Sequence, residues 1–160
     1  MRVEAVSSLR DSMVAAVERT FSDMAFLDVV EIPEFCGKLE FGHILHISLL
    51  EPEEGEIGLF LPSECKKRIV ENIYGDDWSS LHDKEIDDCL LEILNVLAGS
   101  FLSEHYGKTV KHSVSLPELR FDEREMFRCV EARQFYFDAE DAVFKISICF
   151  QGKQNMEVSK

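Results

Sequence analysis

The chain has 160 residues, 46% of them hydrophobic and 30% charged, with a formal net charge of −14. That length suits one domain with a sizeable core, residues 1–160, and so acidic a surface repels nucleic-acid backbones and anionic lipid, which argues against both as partners. No apolar run approaches the ~20 residues that cross a bilayer, and the first ten residues mix charge with apolar side chains, unlike a secretory leader, so a cytoplasmic location is expected.

The elements follow in chain order. Val6, Leu9, Met13, Val17, Phe21 and Met24 recur at three- and four-residue steps, which predicts an amphipathic helix from Ala5 to about Ala25 that packs on a sheet. From about Leu27 the character turns to strand. Lys38 to Leu50 is rich in alternation and β-formers, Pro52-Glu53-Glu54-Gly55 supplies a turn, and Glu56 to Leu61 returns until Pro62 ends it. Ser63 is the expected N-cap of a short helix, Glu64 to about Tyr74, closed by Gly75. Asp76 to Ser80 reads as a loop.

A long helix is predicted from Asp83 to Tyr106, closed by Gly107. Three strands follow, Lys111 to Leu116, Phe127 to Phe137 and Ala142 to Gln151, the last two joined by the hairpin signal Asp138-Ala139-Glu140-Asp141. This order implies an α+β domain in which long helices pack on an antiparallel sheet.

Five cysteines (Cys36, Cys65, Cys89, Cys129, Cys149) are odd in number and scattered, with no C-x-x-C pair. Free thiols packed as small hydrophobes are expected, not a disulfide framework or a zinc site. His43 and His46, three apart in a strand, must point to opposite faces and cannot share a metal. His82, His105 and His112 have no metal-binding companions in sequence. Phe60, Phe101, Phe135, Phe137, Phe144 and Phe150 read as core.

At about 100° per residue, Ile86, Leu90, Ile93, Leu97 and Phe101 form one face of the long helix. Asp88, Glu92, Asn95 and Gly99 fall within about 60° of one another on the opposite side. Glu92 and Asn95 are one turn apart and can reach the same point in space. Gly99 costs the helix about 1 kcal/mol relative to alanine, which a partner needing close approach to the backbone would justify. By spacing alone, a merely solvated polar face is the favoured explanation of the stripe. Two carboxylates, Asp88 and Glu92, with no histidine beside them make a poor metal site, so none is expected.

The run Asp88-Cys89-Leu90-Leu91-Glu92-Ile93-Leu94-Asn95-Val96-Leu97-Ala98-Gly99 resembles the signature helix of the chemotaxis phosphatases CheX, CheC and FliY. The family pattern is Asp or Ser, three residues, Glu, two residues, Asn, then a downstream proline. Asp88, Glu92 and Asn95 match, and Pro117 lies 22 positions after Asn95, one fewer than the family spacing, as a small loop deletion would produce. The lead-in Gly58-Leu59-Phe60-Leu61-Pro62 is similar as well. CheC-type proteins carry the motif twice and CheX-type proteins once. Glu92–Asn95 is the only such pair here, so the resemblance is to the CheX type.

The resemblance implies a CheC-like fold and a phosphatase that acts on a phosphorylated CheY-like response regulator. Asn95 would enter the partner's site and orient the attacking water, and Glu92 would pair with the partner's active-site lysine. Asp88 and Gly99 would contribute to partner binding, and Leu91 and Leu102 would flank the stripe, against the partner or partly buried. No cofactor is expected on this chain, Mg²⁺ being supplied by the response regulator. A homodimer through an exposed sheet edge is the expected assembly. Two other classes compete. One is a non-catalytic module of the same fold that docks a response regulator or flagellar motor component, and phosphoryl decay with the protein added discriminates it. The other is an unrelated protein sharing only the fold.

Overall fold

A computed structural model describes residues 4–39, 42–120 and 132–151. Helix α1 spans Leu9–Ala25. It starts four residues later than the apolar stripe suggests, because the Ser8 hydroxyl oxygen accepts from the Asp11 N–H at 3.1 Å and caps the first turn. Val6 therefore lies outside the helix and is exposed. Met13, Val17 and Phe21 are fully buried, and Phe21 stacks on Phe144 with centroids 4.8 Å apart.

Helix α2, Ser63–Tyr74, takes Pro62 as its cap residue instead of Ser63. The Pro62 carbonyl already accepts the Lys66 N–H at 3.0 Å, which moves the start one residue earlier than the serine implied. The loop expected at Asp76 to Ser80 is part of a 3₁₀ helix, Gly75–Ser80. Helix α3 spans Asp83–Tyr106, as its spacing and Gly107 indicate.

Among the described residues, seven strands, β1 (Val29–Ile32), β2 (His43–Glu51), β3 (Gly55–Leu61), β4 (Ser113–Val114), β5 (Glu118–Arg120), β6 (Arg133–Ala139) and β7 (Ala142–Phe150), form one sheet. Its order is β1-β6-β7-β3-β2-β4, with β5 also on β2, and every pairing is antiparallel. β2 begins at His43, later than the predicted Lys38. β5 has no counterpart in the sequence reading, since three residues carry too little alternation to be seen. Residues 127–131 of the strand expected at Phe127–Phe137 lie outside the described residues, and β6 runs on to Ala139. The β6–β7 turn places Glu140 and Asp141 at φ 52° and 77°, the twist a two-residue hairpin requires. The Asp138 carboxylate steadies it, accepting from the Asp141 N–H at 2.9 Å.

Alternate residues of the central strands, Leu45 and Ile47, Ile57 and Leu59, Ile146 and Ile148, are buried and belong to the main core. The strand alternation sets them on one face of the sheet, where helix side chains such as Phe21 meet them. β3, paired on both sides, is buried along its whole length. Gly55 is required there: a Cβ would sit 2.6 Å from the Cys149 carbonyl oxygen of β7. His43 lies 3.1 Å from Asp87 of α3, whereas His46 faces the other way, 3.4 Å from Glu56.

The cysteine expectation needs one correction. Cys36, Cys65 and Cys89 are free, but Cys149 is disulfide-bonded, its partner lying outside the described residues.

Candidate functional site

Helix α3 crosses the domain as a 24-residue rod. Its start is secured by the Glu85 carboxylate, which accepts from the His82 N–H at 3.3 Å. Asp83 and Glu85 in the first turn complement the positive end of the helix dipole. Its end is set by Gly107 at φ 94°, whose N–H donates to the Ser103 carbonyl at 2.9 Å. Ile86, Leu90, Ile93, Leu97 and Phe101 are buried and seat the rod against the sheet, which fixes its rotation.

That rotation turns Asp88 and Glu92 into solvent and leaves Asn95 and Gly99 half-buried. Glu92 and Asn95 follow one turn apart on this side, as their spacing requires. Among the described residues, neither side chain makes a hydrogen bond or ion pair. Their donors and acceptors are free for an outside molecule. The position of Gly99 is open too: a Cβ there would meet nothing within 4 Å. Packing inside the chain does not call for a glycine.

Leu102 is fully buried, part of the core and unavailable to a partner. Leu91 is half-buried against that core. The exposed apolar residue beside the pair is Val96, 38% exposed, which sequence reasoning did not single out. Nor did it single out Tyr74, at the end of α2, which is 37% exposed. Cys89 raises the Tyr74 phenol above its ordinary range, and burial pushes the Cys89 thiol up. A raised thiol is protonated at neutral pH, which leaves Cys89 without nucleophilic character. Among the described residues, no group of three or more His, Cys, Asp or Glu is placed to hold a metal ion.

The three helices and seven antiparallel strands of the described residues, with this connectivity, make a CheC-like α+β fold, as the likeness to solved structures shows. A putative chemotaxis protein from Desulfovibrio vulgaris Hildenborough superposes with a TM-score of 0.68 at 17% identity, over 92% of this chain and 99% of the other. CheX from Borrelia burgdorferi, solved as a CheX–CheY–BeF₃–Mg²⁺ complex, gives 0.65 at 17% identity, covering 89% and 97%. Thermotoga maritima FliY gives 0.60 at 18% identity, covering 91% and 88%. No curated protein sequence matches the chain. The model of the chemotaxis phosphatase CheX matches residues 45–137, from β2 into β6 with all of α3 between. The chain belongs to the CheX chemotaxis phosphatase family.

Proposed function

We propose that this chain, as a single domain in the cytoplasm, hydrolyses the aspartyl phosphate of a CheY-like response regulator. The observation that carries the reading is the free Glu92–Asn95 pair, one turn apart on the outward side of α3, in a chain of this family. Asn95 acts through its amide, which both donates and accepts and so can hold a water in line with phosphorus. The water oxygen bonds to phosphorus and the bond from phosphorus to the aspartyl oxygen breaks. The products are inorganic phosphate and a free carboxylate on the regulator. Phosphoryl transfer depends mostly on positioning and charge stabilisation, so no strong base is needed.

Glu92 anchors the active-site lysine of the regulator by a charge-assisted hydrogen bond. An anionic carboxylate beside an anionic phosphoryl group would be repelled, which favours anchoring over water activation. Asp88 and Gly99 extend the contact, Gly99 by letting the partner approach the helix backbone. The Mg²⁺ that would offset the charge of the phosphoryl oxygens is taken to arrive with the regulator. A homodimer is part of the reading, with β1 at one edge of the sheet.

The test is phosphoryl decay of a phosphorylated regulator with and without the protein. Wild type accelerates the loss, and Asn95→Ala reduces the acceleration by about a hundredfold or more, the scale of a lost catalytic polar group, with an unchanged fold. An Asn95→Ala protein as fast as wild type would falsify the mechanism.

A further inference from the structure

We propose that His43 is a positioning residue of the site. Its Nε2–H donates to the Asp87 carboxylate and holds the half of α3 that carries Glu92 and Asn95 at one angle to the sheet. The inference rests on the phosphatase reading and adds to it a residue from outside the helix.

His43 opens β2, and its Nε2 lies 3.1 Å from Asp87 Oδ1 on α3. The Lys66 Nζ of α2 lies 3.3 Å from the same nitrogen. One imidazole nitrogen cannot donate and accept at once. The Asp87 carboxylate can only accept, so the 3.1 Å contact requires the hydrogen to sit on Nε2. Nδ1 agrees with this assignment. It is buried with no hydrogen-bond partner among the described residues, and a hydrogen there would be left without an acceptor. The Lys66 ammonium therefore contributes charge beside the carboxylate and not a hydrogen bond to the ring. Both His43 and Asp87 are half-buried, and a carboxylate acceptor makes their bond stronger than a neutral one.

The C-terminal end of α3 has several polar ties. Ser103 lies 3.3 Å from His112, the Ser12 hydroxyl 3.0 Å from His105 Nδ1, and the His105 carbonyl accepts from the Val6 N–H. From Asp83 to Asn95, among the described residues, the Asp87–His43 pair is the one hydrogen bond to the sheet. The buried Ile86, Leu90 and Ile93 keep this half seated, but apolar contact is non-directional and sets an angle less sharply. Side-chain tips ride about 5–6 Å from a helix axis, so a turn of about 10° moves the Asn95 amide by about 1 Å. A misplacement of that size costs a reaction built on positioning up to about a hundredfold. Docking, spread over the stripe, tolerates such a shift far better than a water held in line with phosphorus. His43 acts through α3 and touches no reacting atom, so it positions and does not catalyse.

The experiment compares His43→Phe, which keeps a ring without the donor, His43→Gln, whose amide N–H can replace Nε2–H, Asp87→Ala, and His43→Phe combined with Asp87→Ala. Each is assayed for phosphoryl loss from a phosphorylated regulator at rising protein concentration, below its measured unfolding transition. Binding to the regulator loaded with beryllofluoride is measured alongside. His43→Phe and Asp87→Ala should each lower the maximal rate by about tenfold, with half-saturation and binding within about threefold of wild type. The double variant should lose no more than either single one, since both remove the same bond. His43→Gln should recover the rate to within about threefold of wild type. Wild-type maximal rates in folded His43→Phe and Asp87→Ala, even with lowered unfolding temperatures, make the pair merely structural and overturn the inference. With Asn95→Ala inactive in the same assay, the phosphatase reading then stands. A wild type that never accelerates phosphoryl loss overturns that reading, and this inference with it.

Discussion

The two halves of α3 carry the same line of the helix to opposite ends. At about 100° per residue, Asp88, Glu92, Asn95 and Gly99 share that line with Leu102 and Tyr106. The first four face solvent wholly or in part, whereas Leu102 and Tyr106 are 0% and 3% exposed. The difference lies in what covers the rod. Near its C-terminal end Tyr106 is almost wholly buried, and Ser103 lies 3.3 Å from His112 on the way to β4. The Val6 N–H also donates to the His105 carbonyl at 2.7 Å. Over the first half of the line no segment among the described residues arrives. On the proposed reading, this uncovered polar line is the part of the helix that meets the regulator.

The contrast breaks most visibly at Leu102. Leu102→Ala should cost about 2–4 kcal/mol of folding stability, the range for a truncated core leucine, whereas Asn95→Ala should stay within about 0.5 kcal/mol as a surface change. Urea unfolding of the two variants decides this, and equal losses would mean that the stripe is not open as described. Gly99→Ala sharpens the point with a smaller effect of opposite sign. With nothing within 4 Å of a new Cβ, the alanine should stabilise the helix by up to about 1 kcal/mol. On the proposed reading it should also weaken regulator binding. A stabilised variant that binds as tightly as wild type would remove Gly99 from the contact.

The smallest effect concerns a polar group that is enclosed, unlike those of the stripe. His46, 3% exposed, has its pKa held below the ordinary 6.5, chiefly by burial, against the opposing pull of the Glu56 carboxylate. Below 6.5 the unfolded chain binds more protons than the folded one, so this contribution to stability is present above that pH and is lost as the pH falls toward the depressed value. The unfolding midpoint should therefore drop less between about pH 7.5 and 5.5 in His46→Asn than in wild type. Identical pH dependence in the two proteins would argue against burial as the cause.

Much of this was legible in advance. The span of α3 follows from its apolar period and Gly107, and the outward aspect of Glu92 follows from the opposite face of the same period. The hairpin at Asp138–Asp141 was visible in its turn residues. Other features were not. Val96 reads as unremarkable in the sequence, and only its 38% exposure in the fold sets it apart. Leu102 looks like a flank of the stripe until the chain beyond Gly107 folds back over it. The disulfide of Cys149 escaped because no local spacing marks it.

The sequence by itself determined the elements and the direction each face turns, because periodicity is a local property of a helix or strand. Only the tertiary structure decided which stretch of the polar line stays uncovered and which side chains from other elements stand beside it. Coverage depends on segments distant along the chain, and no pattern within α3 records where they come to rest.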